Sequence, residues 1–394
     1  MAILSVNAGS STLKFSLYPL AQQQVQPQML NGSIDGLEPG GLPEMRWTFQ
    51  GQSHSRKLDL GDDQIFARAL LSLHELLAAT PGMPVMQAVV HRVVHGGARY
   101  RASVVVTDAV LADLTQLISL APLHQPANLE GIRAFSQAFA GLPQVACFDT
   151  AFHATLPEVD YRFALPEALH QQGLRRYGFH GLSYQYVMGV LQQGSANGNG
   201  RVLMAHLGNG ASLCAAQAGQ SCATSMGFSA LDGLMMGTRP GSLDSGVLLY
   251  LVEQGWDHDR LVKLLYKQSG LLGVSGVSAD MRRLRADTSP AAKLAVDMFT
   301  YRVARESGAL VACLQGLDVL AFSGGIGEHD VALRAELGQR MAWLGVQIDP
   351  LRNAHATADQ VMSIHAPGSA VEVWVVPTDE GVVAAREAAR LLRA

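Results

Sequence analysis

With 394 residues, 48% of them hydrophobic and only 16% charged, the chain has material for sizeable cores and a length that suits two or three domains. A net charge of −4 argues against a general nucleic-acid binder, and no run of eighteen or more apolar residues offers a membrane span. The start, Met-Ala-Ile-Leu-Ser-Val, lacks a basic segment and a long apolar one, and the cysteines at 147, 214, 222 and 313 show no C-x-x-C spacing. A cytoplasmic, reduced protein without a disulfide framework or a zinc site is expected.

In chain order, the short apolar run from Ala2 to Val6 leads into Asn-Ala-Gly-Ser-Ser-Thr, and strand alternation then resumes with Lys14 near its start. A turn so rich in backbone N–H groups and hydroxyls suits the gripping of an anion, the alternative being an ordinary hairpin. Residues 87–97 read as a buried strand ending in a Gly turn. A helix is expected over 107–122, with a Thr-Asp start and a Pro stop. The strand at 144–153 delivers Asp149 at its end, and QQGSANGNG at 192–200 reads as an exposed loop. Residues 201–217 form a strand, a Gly-Asn-Gly turn and a second strand. Residues 317–329 read as a strand ending in a Gly-rich turn, with a helix from about Asp330, and 371–394 as a strand, a break and a terminal helix. Such alternation implies an α/β protein. LSVNAGSSTLKFS and LMAHLGNGASLCA share one design about 200 residues apart, which points to two copies of one α/β unit. Two such turns would clamp a polyphosphate; neither a P-loop nor a Rossmann pattern is present.

Several side chains stand out by placement. Arg92 lies in an otherwise apolar strand, so it must be paired or face a cleft; a structural ion pair is the plain alternative. Arg239 sits in the Gly-rich loop MMGTRPGSLDSG, where function competes with a merely solvated arginine. His124 lies between two prolines, His180 follows Gly-Phe after two arginines and a tyrosine, and His206 precedes the Gly-Asn-Gly turn. Their spacing does not support a transition-metal site. Asp149, Glu380 and Asn7 supply oxygens of the kind that hold Mg2+ beside substrate phosphates. Asp280 and Arg282 could reach a nucleotide or form a plain helix start, and the Gly-rich run at 323–329 suits a flat adenosine lying against backbone.

NAGSSTLKF, HRVVHGG, APLHQPAN, FDTAFH, YGFHG, HLGNGAS, MGTRPGSLD, SGVSADMR, GGIGEH and PTDEG occur in one order along almost the whole chain, and with them the chain resembles the acetate kinase family of acetokinases. The resemblance implies an actin-like and sugar-kinase-like (ribonuclease H-like) fold of two duplicated α/β domains with the active site in the cleft between them, and a homodimer. Residues 1–150 with 380–394 would carry the first phosphate loop and the terminal helix, and 151–379 the second loop and the adenosine site. The implied reaction is transfer of the ATP γ-phosphate to acetate, giving acetyl phosphate and ADP, with Mg2+ or Mn2+ in its place. By analogy Asn7 and Glu380 bind the metal, Lys14 approaches the nucleotide phosphates, and Arg92 binds the carboxylate. Asp149 is the catalytic acid of the family, although a carboxylate substrate offers it no proton, so a role in orienting metal-bound water or Arg92 is expected. His180 and Arg239 would stabilise the transition state with His124 alongside. Val94, Leu123, Phe179 and Ala230 would surround the acyl methyl group. His206, Leu207, Gly208, Asn209, Gly210, Asp280, Met281, Arg282, Gly325, Ile326, Gly327, Glu328 and His329 would form the ATP site.

Tyr184 stands where the family usually has His, Ala230 where it has Pro, and His329 where it has Asn; GTRPGSLDS and TDEG also depart from the common pattern. These departures bear on acyl-chain range and nucleotide preference. A propionate or butyrate kinase of the same family is the near alternative. An actin- or chaperone-like ATPase switch is the remote one, and fourteen residues after Glu380 leave it no peptide domain.

Overall fold

A computed structural model describes residues 1–9, 11–38, 40–59 and 65–393. The chain forms two compact units, Met1–Ala151 with Asp379–Ala394, and Phe152–Thr378.

The strands of the first unit are β1 (Ala2–Ala8), β2 (Thr12–Ala21), β3 (Gln24–Val25), β4 (Leu30–Asp35), β5 (Glu44–Phe49), β6 (Gln52–Lys57), β7 (Met86–Val93), β8 (Val104–Val105) and β9 (Gln144–Phe148). They lie in the order β6-β5-β4-β2-β1-β7-β9-β8, with β3 paired to β2. β1 is antiparallel to β2 and parallel to β7, and β7 is parallel to β9. An inner strand covered on both faces reads as a continuous apolar run, which is why Ala2 to Val6 and Gln144 to Phe148 are buried almost without alternation. Leu4, Val6, Leu13, Phe15 and Leu17 join Leu70 and Leu73 of the helix Ile65–Ala79 and Phe135 of the helix Gln125–Ala138 in one core. The terminal helix Glu380–Leu391 returns to this unit and packs on β1, β2 and β7. Tyr18 Oη donates to Asp379 Oδ1 at 2.8 Å and pins its start.

The second unit contains β10 (Arg201–Leu207), β11 (Ala211–Gln217), β12 (Gln220–Thr224), β13 (Val319–Ser323), β14 (Met362–Ser363) and β15 (Glu372–Val375), in the order β12-β11-β10-β13-β15-β14. β10 is antiparallel to β11 and parallel to β13, β13 is parallel to β15, and β14 closes the edge antiparallel. Order, sense and chain sequence repeat those of β4-β2-β1-β7-β9-β8. The duplication expected from two turns thus extends over six strands. Among the described residues no helix is long and apolar enough to cross a membrane.

Two expectations need correction. The Gly-rich run is not a turn before a helix at Asp330: Gly324–His329 is itself a short helix, and Asp330 caps a second one, Val331–Arg340, by accepting from Leu333 N at 2.9 Å. Only Gly324 takes a left-handed φ, +74°, and Glu328 Oε1 accepts from its N–H at 2.8 Å, closing the turn that three glycines would leave weak. Nor is 192–200 wholly loop, because the helix Gly181–Gly194 runs through its first three residues.

Candidate active site

In the first unit the hairpin β1–β2 places Lys14 opposite Asn7. Its turn is closed by Gly9 N donating to Thr12 O at 2.8 Å; Ser10, part of the expected phosphate loop, lies outside the described residues. Lys14 is exposed and Asn7 half-buried. Asn128, in the first turns of Gln125–Ala138, ties this hairpin to the Arg92 strand: its Nδ2 donates to Ala8 O at 2.9 Å and its Oδ1 accepts from Val94 N at 3.0 Å. His124 caps the same helix from an exposed position, and Leu123 beside it is 38% exposed.

Arg92 is neither solvated nor alone. Its Nε and Nη2 donate to Asp149 Oδ1 and Oδ2 at 2.9 and 2.7 Å, and Glu380 Oε2 lies 3.4 Å from Nε. The parallel register that sets Arg92 beside Cys147 puts Asp149 just past the end of β9, within reach of the guanidinium fork. Burial pulls the Arg92 pKa down, but the charges of Asp149 and Glu380 outweigh it and hold the group above its ordinary value. Two carboxylates against one guanidinium leave an excess negative charge. Among the described residues no group of three or more His, Cys, Asp or Glu side chains could cage a metal. Mg2+ seldom needs such a cage when phosphates complete its shell, so this oxygen-rich cluster fits a metal brought in with a nucleotide.

In the second unit the hairpin β10–β11 repeats the design, with Gly208 N donating to Gly210 O at 3.0 Å across the turn. His180 and Arg239 converge on that turn. A Cβ on Gly210 would lie 2.9 Å from Arg239 Nη2 and 3.4 Å from His180 Nε2, so glycine is what lets both approach. Arg239 Nη1 donates to Ala230 O at 2.6 Å, and among the described residues no carboxylate lies within 4.0 Å of it. Burial lowers its pKa, with only the Tyr266 charge opposing. A sheltered cation without a carboxylate partner is a place for an anion. The loop before it is anchored to the turn by Gly237 N donating to Asn209 O at 2.9 Å, and Asn209 Oδ1 fills the space a Gly237 side chain would need.

His180 heads the helix Gly181–Gly194 in the left-handed region, φ +59°, which costs a non-glycine residue about 1–2 kcal/mol. Its ring stacks on His206, centroids 4.3 Å apart, and its Nδ1 lies 2.8 Å from Ser212 Oγ. His206 Nδ1 lies 2.8 Å from Ser183 Oγ. Phe179, buried before it, accepts at its carbonyl from His153 Nε2 at 3.0 Å. Ala230 is half-buried and lends its carbonyl to Arg239.

Gly325 has open space where a Cβ would stand, whereas Gly327 faces Ala205 O and Leu207 at 3.6 Å; Leu207 itself is buried and Ile326 half-buried. Glu328 spans Gly324 N and Thr378 N, and His329 Nδ1 returns to Gly325 O at 3.0 Å. Arg334, fully buried, donates to Gly327 O, Glu328 O, Asn353 Oδ1, Asn353 O and Ala356 O and so fixes the end of this short helix. Asp280 caps the helix Met281–Ala286 by accepting from Arg282 N at 2.9 Å and pairs with the Arg282 guanidinium. That pairing is the plain helix start weighed above, and the Arg282 hydrogen bonds hold the Asp280 carboxyl down to about 2. Met281 is buried beneath it. Asn128, Ser212 and Arg334 escaped the sequence reading: small or solitary polar residues in apolar runs give no signal of what they bond.

Residues 2–386 match the Acetokinase family. An acetate kinase of Rhodopseudomonas palustris is 47% identical over 393 residues, covering 99% of this chain and 98% of the relative. The crystal structure of Porphyromonas gingivalis acetate kinase superposes with a TM-score of 0.88 at 36% identity, covering 99% of both chains. That of a propionate kinase from Francisella tularensis gives a TM-score of 0.90 at 35% identity, covering 98% of both. Matched over nearly its full length by family, sequence and fold, the chain belongs to the acetokinase family.

Proposed function

We propose that the chain is an acetate kinase, transferring the γ-phosphoryl group of ATP reversibly to acetate to give acetyl phosphate and ADP. The observation that carries the reading is the convergence of Arg239 and His180 on the Gly210 turn, with Arg239 half-buried and its guanidinium held, among the described residues, by a backbone carbonyl and by no carboxylate. A carboxylate needs no general base to attack; it needs to be brought to another anion. Catalysis is then positioning plus charge neutralisation. Arg92 orients the attacking carboxylate, and its bidentate hold on Asp149 supports a positioning role for Asp149 over proton transfer. Arg239 and His180 meet charge on the equatorial phosphoryl oxygens, an arginine of this kind being worth about 10³–10⁵ in rate. Lys14 and the Gly208–Gly210 turn hold nucleotide phosphates, and the open face at Gly325 takes the adenosine. Asn7 and Glu380 would hold Mg2+, which would supply further neutralisation of phosphate charge. A co-substrate such as ATP suits action in the cytoplasm.

Acyl choice follows from Val94, Leu123, Phe179 and Ala230. Alanine in place of a ring residue leaves room for about one methylene, so propionate is a good second substrate. A homodimer is part of the proposal. The helix Ser245–Glu253 buries none of its residues, leaving Leu249 66% and Tyr250 59% exposed. Arg302 Nη1 donates to Ser242 O just before it, and its helix adds exposed Tyr301 and Leu294. A second copy covers this apolar surface. A hydroxamate assay across acetate, propionate and butyrate tests the reading: acetate is expected to lead, propionate to follow within about tenfold in kcat/KM, and no hydroxamate from any acid would refute it.

A further inference from the structure

His180 Nδ1 is 2.8 Å from Ser212 Oγ, and the same hydroxyl is 2.5 Å from Tyr184 Oη. Ser212 and Tyr184 are both fully buried. Tyr184 N donates to His180 O at 3.1 Å, so His180, Tyr184 and Ser212 are locked together.

The direction of the hydrogens in this chain is decided by what each atom is able to do. The buried Tyr184 phenol carries its own hydrogen, and among the described residues Ser212 Oγ is the hydrogen-bond partner that takes it, so the phenol donates to Ser212. Burial drives the Tyr184 pKa well above its ordinary value, so that hydrogen stays on the phenol. Ser212 Oγ accepts from Tyr184, and its hydrogen goes on to His180 Nδ1, which accepts only when it carries no proton. In the reverse case a charged His180 would donate to Ser212 as well, and a fully buried hydroxyl would receive two hydrogens while seeking a third partner for its own. The imidazole is therefore neutral with its proton on Nε2, the nitrogen that faces the Gly210 turn beside Arg239.

We propose that Tyr184 and Ser212 are positioning residues that fix His180 as its neutral Nε2–H tautomer, so that it presents a hydrogen-bond donor to the oxygens of the transferring phosphoryl group. The assignment rests on the kinase reading for its purpose but not for its geometry. The opposite tautomer would aim a lone pair at those oxygens. Losing one such preorganised donor outright costs about 10²–10³ in kcat, and a mixture of tautomers costs less.

The test combines ¹⁵N NMR of histidine-labelled protein with kinetics of Tyr184→Phe, Ser212→Ala and the double variant. The His180 signals among the thirteen histidines are assigned from their loss in His180→Gln. The wild type is expected to show His180 protonated at Nε2 and bare at Nδ1 at neutral pH. In Tyr184→Phe the tautomers should mix and kcat fall about tenfold, with both KM values within about twofold. The double variant should be no worse than Ser212→Ala alone, because both residues act through one chain. A charged or Nδ1–H His180 in the wild type overturns the proposal, as does a wild-type tautomer and kcat in Tyr184→Phe. The wild-type spectrum decides the question even if a variant fails to fold. Wild-type protein that makes no acetyl phosphate overturns the kinase reading, while the tautomer still decides the relay.

Discussion

Gly210→Ala separates catalysis from folding. The added Cβ would stand 2.9 Å from Arg239 Nη2, 3.4 Å from His180 Nε2 and 3.6 Å from His180 Cε1, with no other atom among its three nearest. Ordinary contact begins at 3.4 Å, so the guanidinium must retreat by about 0.5 Å, against its 2.6 Å bond to Ala230 O. A displacement of 1 Å at the reacting centre costs about 10²-fold, so kcat should fall by roughly 10- to 100-fold. The atom displaced is the tip of a flexible side chain, and Gly210 is not in the left-handed region, so the fold should absorb the change. Loss of glycine freedom in the unfolded chain even favours the variant by about 0.4–1 kcal/mol. Coupled detection of ADP should therefore show the kcat loss with the KM for acetate within about twofold, because Arg92 is untouched. Thermal unfolding should be unchanged or slightly later. Gly308→Ala, where a Cβ meets nothing within 4 Å, is the control. A Gly210→Ala enzyme with kcat within twofold of wild type would refute the placement of Arg239 and His180 at the transition state.

Ala230→Pro should reduce use of propionate severalfold more than use of acetate; equal losses would show that Ala230 does not set acyl length. Acid should destabilise the fold through His91, His95 and His153, whose pKa values burial pushes down to about 4. The unfolded chain takes up these protons near pH 6.5 while the folded one does not, so stability is full above about 6.5, falls as pH drops toward 4 and then levels. Each contributes a loss of about 2 kcal/mol at pH 5, and urea midpoints equal at pH 7.5 and 5 would contradict this. Tyr250→Glu with Leu249→Glu should halve the mass seen by sedimentation, and a wild-type monomer at micromolar concentration would remove the dimer from the proposal.

The strand-turn-strand units were legible because buried inner strands are continuous apolar runs and their turns are spelled in Gly and Asn. Arg92 was legible as a charge needing a partner. Its partners came from a register and from a helix more than 280 residues away, which no local pattern encodes. Gly324–His329 was misread as a turn because three glycines have poor helix propensity, while the Glu328 bond that stabilises the turn is a matter of geometry. Asp280 looked equally like a nucleotide ligand and a cap; its bond to Arg282 N makes it a cap whatever else it touches. Ser212 is a small hydroxyl in an apolar strand, and only the fold brings it between Tyr184 and His180.

³¹P NMR of the protein with ATP, Mg2+ and acetate tests the central claim most directly. The account predicts a growing acetyl phosphate signal matched by ADP, and its loss by a factor on the order of 10³ in Arg239→Ala. ADP accompanied only by inorganic phosphate, or acetyl phosphate formed as fast by folded Arg239→Ala, would contradict it.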